Sequence, residues 1–177
     1  NLIHLKNKFM STTKVSYKTF PVQLSLIAIF GLGILWYIIY KAATTSFTHD
    51  ESYTYTHYVH QGFMDIISYK TPYTNNHILN TVLMKYCEVF FGSSELSLRL
   101  PNILAFILYS IFTILLLYKY IPKLMFPFYL LMLLNPHLLD FFALARGYGL
   151  SFAFLLMSFY YLSLYFTSKQ NRHLILF

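Results

Sequence analysis

Acidic residues are scarce in this chain. Of 177 residues only six are Asp or Glu, against thirteen Lys and Arg, and charge of either sign makes up 11%. Soluble domains carry about 25%, so an ordinary water-facing surface is excluded. A single cysteine, Cys87, excludes an internal disulfide and leaves the compartment open. Tryptophan also occurs once, whereas Phe occurs 18 times and Tyr 17 times in a chain that is 57% hydrophobic. The excess of seven positive charges does not indicate nucleic acid, because the basic residues sit at the ends of apolar runs rather than in a patch.

What is present is a series of long uncharged runs. Thr19 to Tyr40 holds 22 residues without charge, enough at about 1.5 Å per residue for a hydrocarbon core roughly 30 Å thick. Leu100 to Tyr118 follows, with Pro101 read as lying in its first turn. Leu124 to Leu139 is shorter and carries Pro127 and Pro136; Gly147 to Ser168 is again uncharged. The expected fold is an all-α, multi-pass transmembrane bundle, with spans near 20–42, 97–119, 123–140 and 144–167. Residues 1–177 form a single membrane domain, and residues 44–96 its first outer loop.

Four spans place both ends of the chain on one side. Lys6, Lys8, Lys14, Lys18, Lys119, Lys123, Lys169 and Arg172 fall on that side; Lys41, Lys70, Lys85, Arg99 and Arg146 fall on the other. The basic excess predicts cytoplasmic ends in the plasma (inner) membrane. All the acidic residues and five of the seven histidines then lie on the outer face. The chain opens at Asn1 with a plausible start at Met10, and stops at Phe177 as another apolar segment begins, so it reads as the N-terminal portion of something longer. The first run is too long for the h-region of a cleavable signal peptide.

The outer loop begins with Phe47-Thr48-His49-Asp50-Glu51. Adjacent carboxylates at a membrane edge are functional candidates, since placing one in the bilayer centre costs about 2.5–3.5 kcal/mol. Helical periodicity then predicts one surface helix from about Glu51 to Tyr69, with Tyr55, Tyr58, Val59, Phe63 and Ile66 on one face and Tyr53, His57, His60 and Met64 on the other. Pro72 and its polar neighbours end it. A second amphipathic helix, about Asn76 to Phe91, sets Ile78, Leu79, Val82, Leu83, Tyr86, Val89 and Phe90 opposite His77, Thr81, Lys85 and Glu88. Both are expected to lie along the membrane surface. His57 and His60, one turn apart, are weak candidate metal ligands together with Asp50 or Glu51. Arg99 reads as a snorkelling anchor at a span terminus.

The order of these elements resembles the GT-C superfamily of membrane glycosyltransferases, in particular the protein O-mannosyltransferases and the aminoarabinose transferases of lipid A. The resemblance rests on the acidic pair after span one and a surface helix ending Phe90-Phe91-Gly92. It rests also on Ser94-Glu95-Leu96-Ser97-Leu98-Arg99-Leu100-Pro101 leading into span two, and on Ala145-Arg146-Gly147-Tyr148-Gly149-Leu150-Ser151 at the mouth of span four. It covers about Val22 to Leu164, the N-terminal part of a typical member. It implies transfer of a sugar from a polyprenyl-phosphate or diphosphate donor to a lipid, glycan or protein acceptor at the outer face. By this resemblance Asp50 is the base, and Glu51 its neighbour or a positioning group. One base and no strong acid suits the reaction, because the phosphate leaves already ionised.

One departure matters. Where the aminoarabinose-transferase branch has Glu-Lys-Pro before the second surface helix, this chain has Asn75-Asn76-His77. A metal carboxylate and a phosphate-contacting lysine are replaced, so a divalent ion is an open question. The donor-binding role moves to Asn76, His77, Arg146, Tyr148 or Lys70. Asn75 and Asn76 read equally as turn and cap residues. For Arg146, Gly147 and Gly149 leave the backbone open to a ligand and a guanidinium fork suits phosphate, with interfacial anchoring as the alternative. Two other readings stand beside the enzyme: a metal or proton transport module using His49, His57, His60 and the acids, and a non-catalytic assembly subunit. The uncharged spans hold no mid-depth ionisable residue for a transport pathway.

Overall fold

The computed structural model describes residues 19–72 and 75–168. The terminal residues Lys6, Lys8, Met10, Lys14, Lys18, Lys169 and Arg172 lie outside the described residues, as do Tyr73 and Thr74. Helix α1 (Thr19–Thr44) leads to a short α2 (His49–Thr54), which runs on into one π turn, Tyr55–Val59. Then come α3 (Phe63–Ile67), α4 (Ile78–Phe91), α5 (Glu95–Tyr120), α6 (Met125–Leu133) after a 3-10 turn, α7 (Pro136–Ala143) and α8 (Tyr148–Ser168). The fold is all-α, with no strand among the described residues. Among the described residues three helices are long and apolar enough to cross a membrane: Phe20–Thr44, Glu95–Tyr120 and Tyr148–Thr167.

The region expected as a third span is broken. The segments Pro122–Leu133 and Pro136–Ala143 meet at 69°. Asn135 and Pro136 make the break, because Pro136 sits at the first helical position and the Asn135 side chain caps the new helix through the N–H groups of His137 (3.0 Å) and Leu138 (3.4 Å). Contacts at both ends show that the bent pair still carries the chain from one end of the bundle to the other. Gln23, early in α1, donates to Pro122 O (3.2 Å) and accepts from Phe126 N (3.2 Å). Lys41, late in α1, pairs with Asp140.

Helix α5 is the central element, packed against α1, α4, α6, α7 and α8. It begins earlier than its uncharged run implies, because Ser94 and Ser97 form a capping box at its start. Pro101 therefore lies inside the helix and not in its first turn. Ile38, Phe106, Tyr129, Phe142 and Ala153 are buried between helices, while Ile29, Leu32 and Trp36 of α1 are exposed. Apolar residues outside and close packing inside are the arrangement of a bundle that uses lipid as solvent.

The loop between α1 and α5 departs from expectation once. The single helix from Glu51 to Tyr69 is in fact two pieces separated by a turn at His60–Gly62. Lys85 of α4 makes the break tolerable by donating to Val59 O and Gln61 O, 2.9 Å each, which satisfies two helix-end carbonyls. Helix α4 is packed with its polar side inward and most of its apolar arc outward. Asn80, Thr81 and Met84 are buried, whereas Leu79, Tyr86, Val89 and Phe90 are exposed, the last by 74%.

Candidate functional site

The inward polar side of α4 faces the junction between α7 and α8. Gly147 makes this approach possible. Its φ is +74°, and a Cβ there would stand 2.9 Å from His77 Cβ and 3.2 Å from Asn80 Cβ. A Cβ on Gly149 would likewise meet Phe141 O at 2.8 Å and Asn102 Oδ1 at 2.9 Å. The two glycines beside Arg146 thus admit protein neighbours, not an open approach to the backbone. Across this contact Asn80 Nδ2 donates to Ala145 O (2.9 Å), and Asn102 Nδ2 donates to Asn80 Oδ1 (2.8 Å). Asn102 Oδ1 is buried without a hydrogen-bond partner among the described residues.

Six residues from four segments line one small cleft: Asp50, Asn75, His77, Ala145, Arg146 and Tyr148, with Thr54 at its wall. Asp50 Oδ2 pairs with Arg146 Nη2. Asp50 Oδ1 accepts from Asn75 Nδ2 at 3.4 Å and lies 3.6 Å from His49 Nδ1. Both members of the ion pair are about one-third exposed, so the cleft opens to its surroundings. The ring of Tyr148 meets that of His77 edge-on at 5.0 Å, and Phe141 lies behind it at 4.9 Å. Burial pushes the His77 imidazole below its ordinary value of 6.5, so at neutral pH it is an uncharged donor or acceptor and not a cation.

Glu51 has a different environment from Asp50. It is fully buried, and both its oxygens are occupied. Oε1 accepts from Arg99 Nε (2.8 Å) and from the Ala145 N–H (2.7 Å). Oε2 accepts from Arg99 Nη2 (2.9 Å), the Thr48 N–H (2.9 Å) and the Thr48 hydroxyl (3.0 Å). Burial pushes this carboxyl up. The Arg99 guanidinium and the Ala145 and Thr48 N–H groups outweigh that and hold it below the ordinary 4.5. With no lone pair free for a substrate proton, Glu51 belongs to the frame of the site. Arg99 does not snorkel. It is fully buried and also donates to Ala42 O (2.8 Å), Thr45 O (2.6 Å) and Ser46 O (3.3 Å) at the end of α1.

The remaining sequence candidates divide clearly. Asn76 is buried beside the cleft, where its Oδ1 accepts from Thr81 Oγ1 (3.2 Å). Lys70 is away from the cleft lining and pairs with Asp65 at 2.9 Å. His57 stacks on Tyr53, with ring centroids 4.1 Å apart, whereas His60 turns to Glu88, 3.5 Å from its Oε1. The two do not converge, and among the described residues no three His, Cys, Asp or Glu side chains gather around a common point. Among the described residues no second carboxylate or thiolate joins Asp50 in a metal-binding set, and no step is assigned to a divalent ion. Sequence reasoning missed Asn80, Asn102 and Thr48. Only Thr48 carried a local signal, as the first residue of a Thr-x-x-Glu capping box.

Compared with protein-family models, curated proteins and solved structures, the chain matches none.

Proposed function

We propose that this protein is a GT-C-type glycosyltransferase, moving a sugar from a polyprenyl-phosphate or diphosphate donor to an acceptor hydroxyl at the outer membrane face. The observation that carries the reading is the convergence of Asp50, His77 and the Arg146–Tyr148 segment, three well-separated regions of the chain, on one cleft at the end of a membrane bundle. The carboxylate can act as the base and the guanidinium can bind the phosphate, while the imidazole and the aromatic ring line the same cleft.

The donor phosphate takes the Arg146 fork, which matches its geometry. In doing so it exchanges with Asp50, whose pairing with Arg146 ends as the phosphate arrives. Asp50 is then free to accept the acceptor's proton while the acceptor oxygen bonds to the anomeric carbon. The bond from that carbon to the phosphate oxygen breaks, its electron pair leaves with the phosphate, and charge balance needs no further acid. His77 donates to a phosphate oxygen as a neutral group, and Tyr148 offers an apolar face to the sugar. Asn76 and Lys70 have no direct part in this reading.

The test is transfer by the Asp50→Asn variant of the membrane-embedded protein, which keeps shape and removes basicity. Turnover should fall by about 10²–10⁴ while donor binding survives. Near-normal turnover would remove Asp50 from the chemistry and, with it, this reading of the cleft.

A further inference from the structure

We infer that Glu51 and Arg99 are positioning residues, a buried pair that sets the backbones of Asp50 and Arg146 face to face across the cleft. The inference rests on the reading of that cleft as the reacting site. Glu51 follows Asp50 directly, and Ala145 directly precedes Arg146. One carboxylate oxygen, Glu51 Oε1, therefore ties the two reacting segments together through the Ala145 N–H at 2.7 Å. Arg99 supplies the fixed reference. It projects from α5 and holds Glu51 through two donors while binding the last carbonyls of α1. Three chain segments thus take their position from one guanidinium.

A stabilising role alone explains this arrangement poorly. A buried ion pair contributes little net stability, since an apolar pair of similar volume is often as stable or more so. What an apolar pair cannot supply is the acceptor for the Ala145 N–H, nor the donors for Ala42 O and Thr45 O. The hub is also rigid. The Arg–carboxylate contact uses two donors of one planar fork, so rotation of either side chain breaks a charge-assisted bond. Displacement of a reacting group by about 1 Å costs on the order of 10²-fold in rate, so the hub's geometry acts on function beyond its effect on folding.

The experiment reads geometry without needing turnover. In the full chain with Cys87→Ser, Asp50→Cys and Arg146→Cys are bridged in the membrane by a short bifunctional methanethiosulfonate reagent. These substitutions remove the Asp50–Arg146 ion pair itself, so any proximity that remains is imposed by the frame. Bridging should be fast with Glu51 and Arg99 intact and slow by about tenfold or more in Glu51→Gln or Arg99→Met. It should be unaffected by Asp65→Asn, which breaks the exposed Lys70 pair. Where Glu51→Gln fails to fold, Glu51→Asp keeps the charge with a shorter arm and should slow bridging by an intermediate amount. Bridging at the native rate in folded Glu51→Gln or Glu51→Asp overturns the inference. Hub-dependent bridging combined with full turnover in Asp50→Asn would keep the frame and discard the catalytic reading; the opposite pair of results would do the reverse.

Discussion

Two adjacent carboxylates have been given opposite tasks by what surrounds them. Asp50 is partly exposed and pairs with a single guanidinium; Glu51 is enclosed by five donor contacts and has no acceptor position left. In the proposed reading, the residue that binds the donor phosphate is Arg146. Charge-assisted hydrogen bonds contribute roughly 1.5–3 kcal/mol each, so Arg146→Ala should weaken binding of a polyprenyl-phosphate sugar by about 10–150-fold. Arg146→Lys should recover only part, because a point charge replaces a planar fork. Equilibrium binding of a labelled donor to detergent-solubilised protein measures both. Unchanged affinity in Arg146→Ala would leave the guanidinium as Asp50's partner alone and place the phosphate elsewhere.

At the scale of elements, the site exists because α4 docks its polar side against the turn before α8. Gly147 is the close point of that contact, and Gly92, at the end of α4, provides a comparison. Both have positive φ, +74° and +81°, but a Cβ on Gly92 meets nothing within 4 Å. Gly92→Ala should therefore cost only backbone strain, about 1 kcal/mol. Gly147→Ala adds a clash with His77 and should lower the melting temperature further and weaken donor binding. Equal effects of the two substitutions on melting and binding would show that α4 is not held at Gly147.

How far these elements could be read from sequence follows from the range of the forces involved. The spans were legible because absence of charge over twenty residues has one cheap solution in lipid. The extent and the two faces of α4 were legible from its periodicity, but the neighbours that its buried Asn80 and Thr81 meet were not. Asp50 could be singled out as half of an acidic pair after the first span, Arg146 by its flanking glycines, and His77 only through the resemblance to the GT-C superfamily. The pairing of Glu51 with Arg99, 48 positions away in the chain, has no local signature, and neither does the contact of Asn80 with Asn102. The break of the first outer helix depends on Lys85 reaching across from another element.

For the whole molecule, the contacts fix which helix ends lie together, and membrane sidedness follows from one further fact. The end of α1, the start of α5 and the start of α8 meet at Arg99 and Glu51, while the start of α1 meets the turn before α6 at the other end of the bundle. Helix α5 leaves the site end, and α6 and α7 together return the chain to it, so we propose that the bent pair is one crossing. Four crossings with the site on the outer face predict that Thr71, in the loop, and Lys123, before α6, lie on opposite sides. Single cysteines at these two positions in a Cys87→Ser background can be treated with a membrane-impermeant maleimide on intact cells. Thr71→Cys should label at once and Lys123→Cys only after permeabilisation. Labelling of both from outside would make the bent pair re-entrant and separate the two ends of the bundle from the two sides of the membrane. The reverse pattern would keep four crossings but turn the cleft inward, where a lipid-linked donor would have to be presented from the cytoplasmic leaflet.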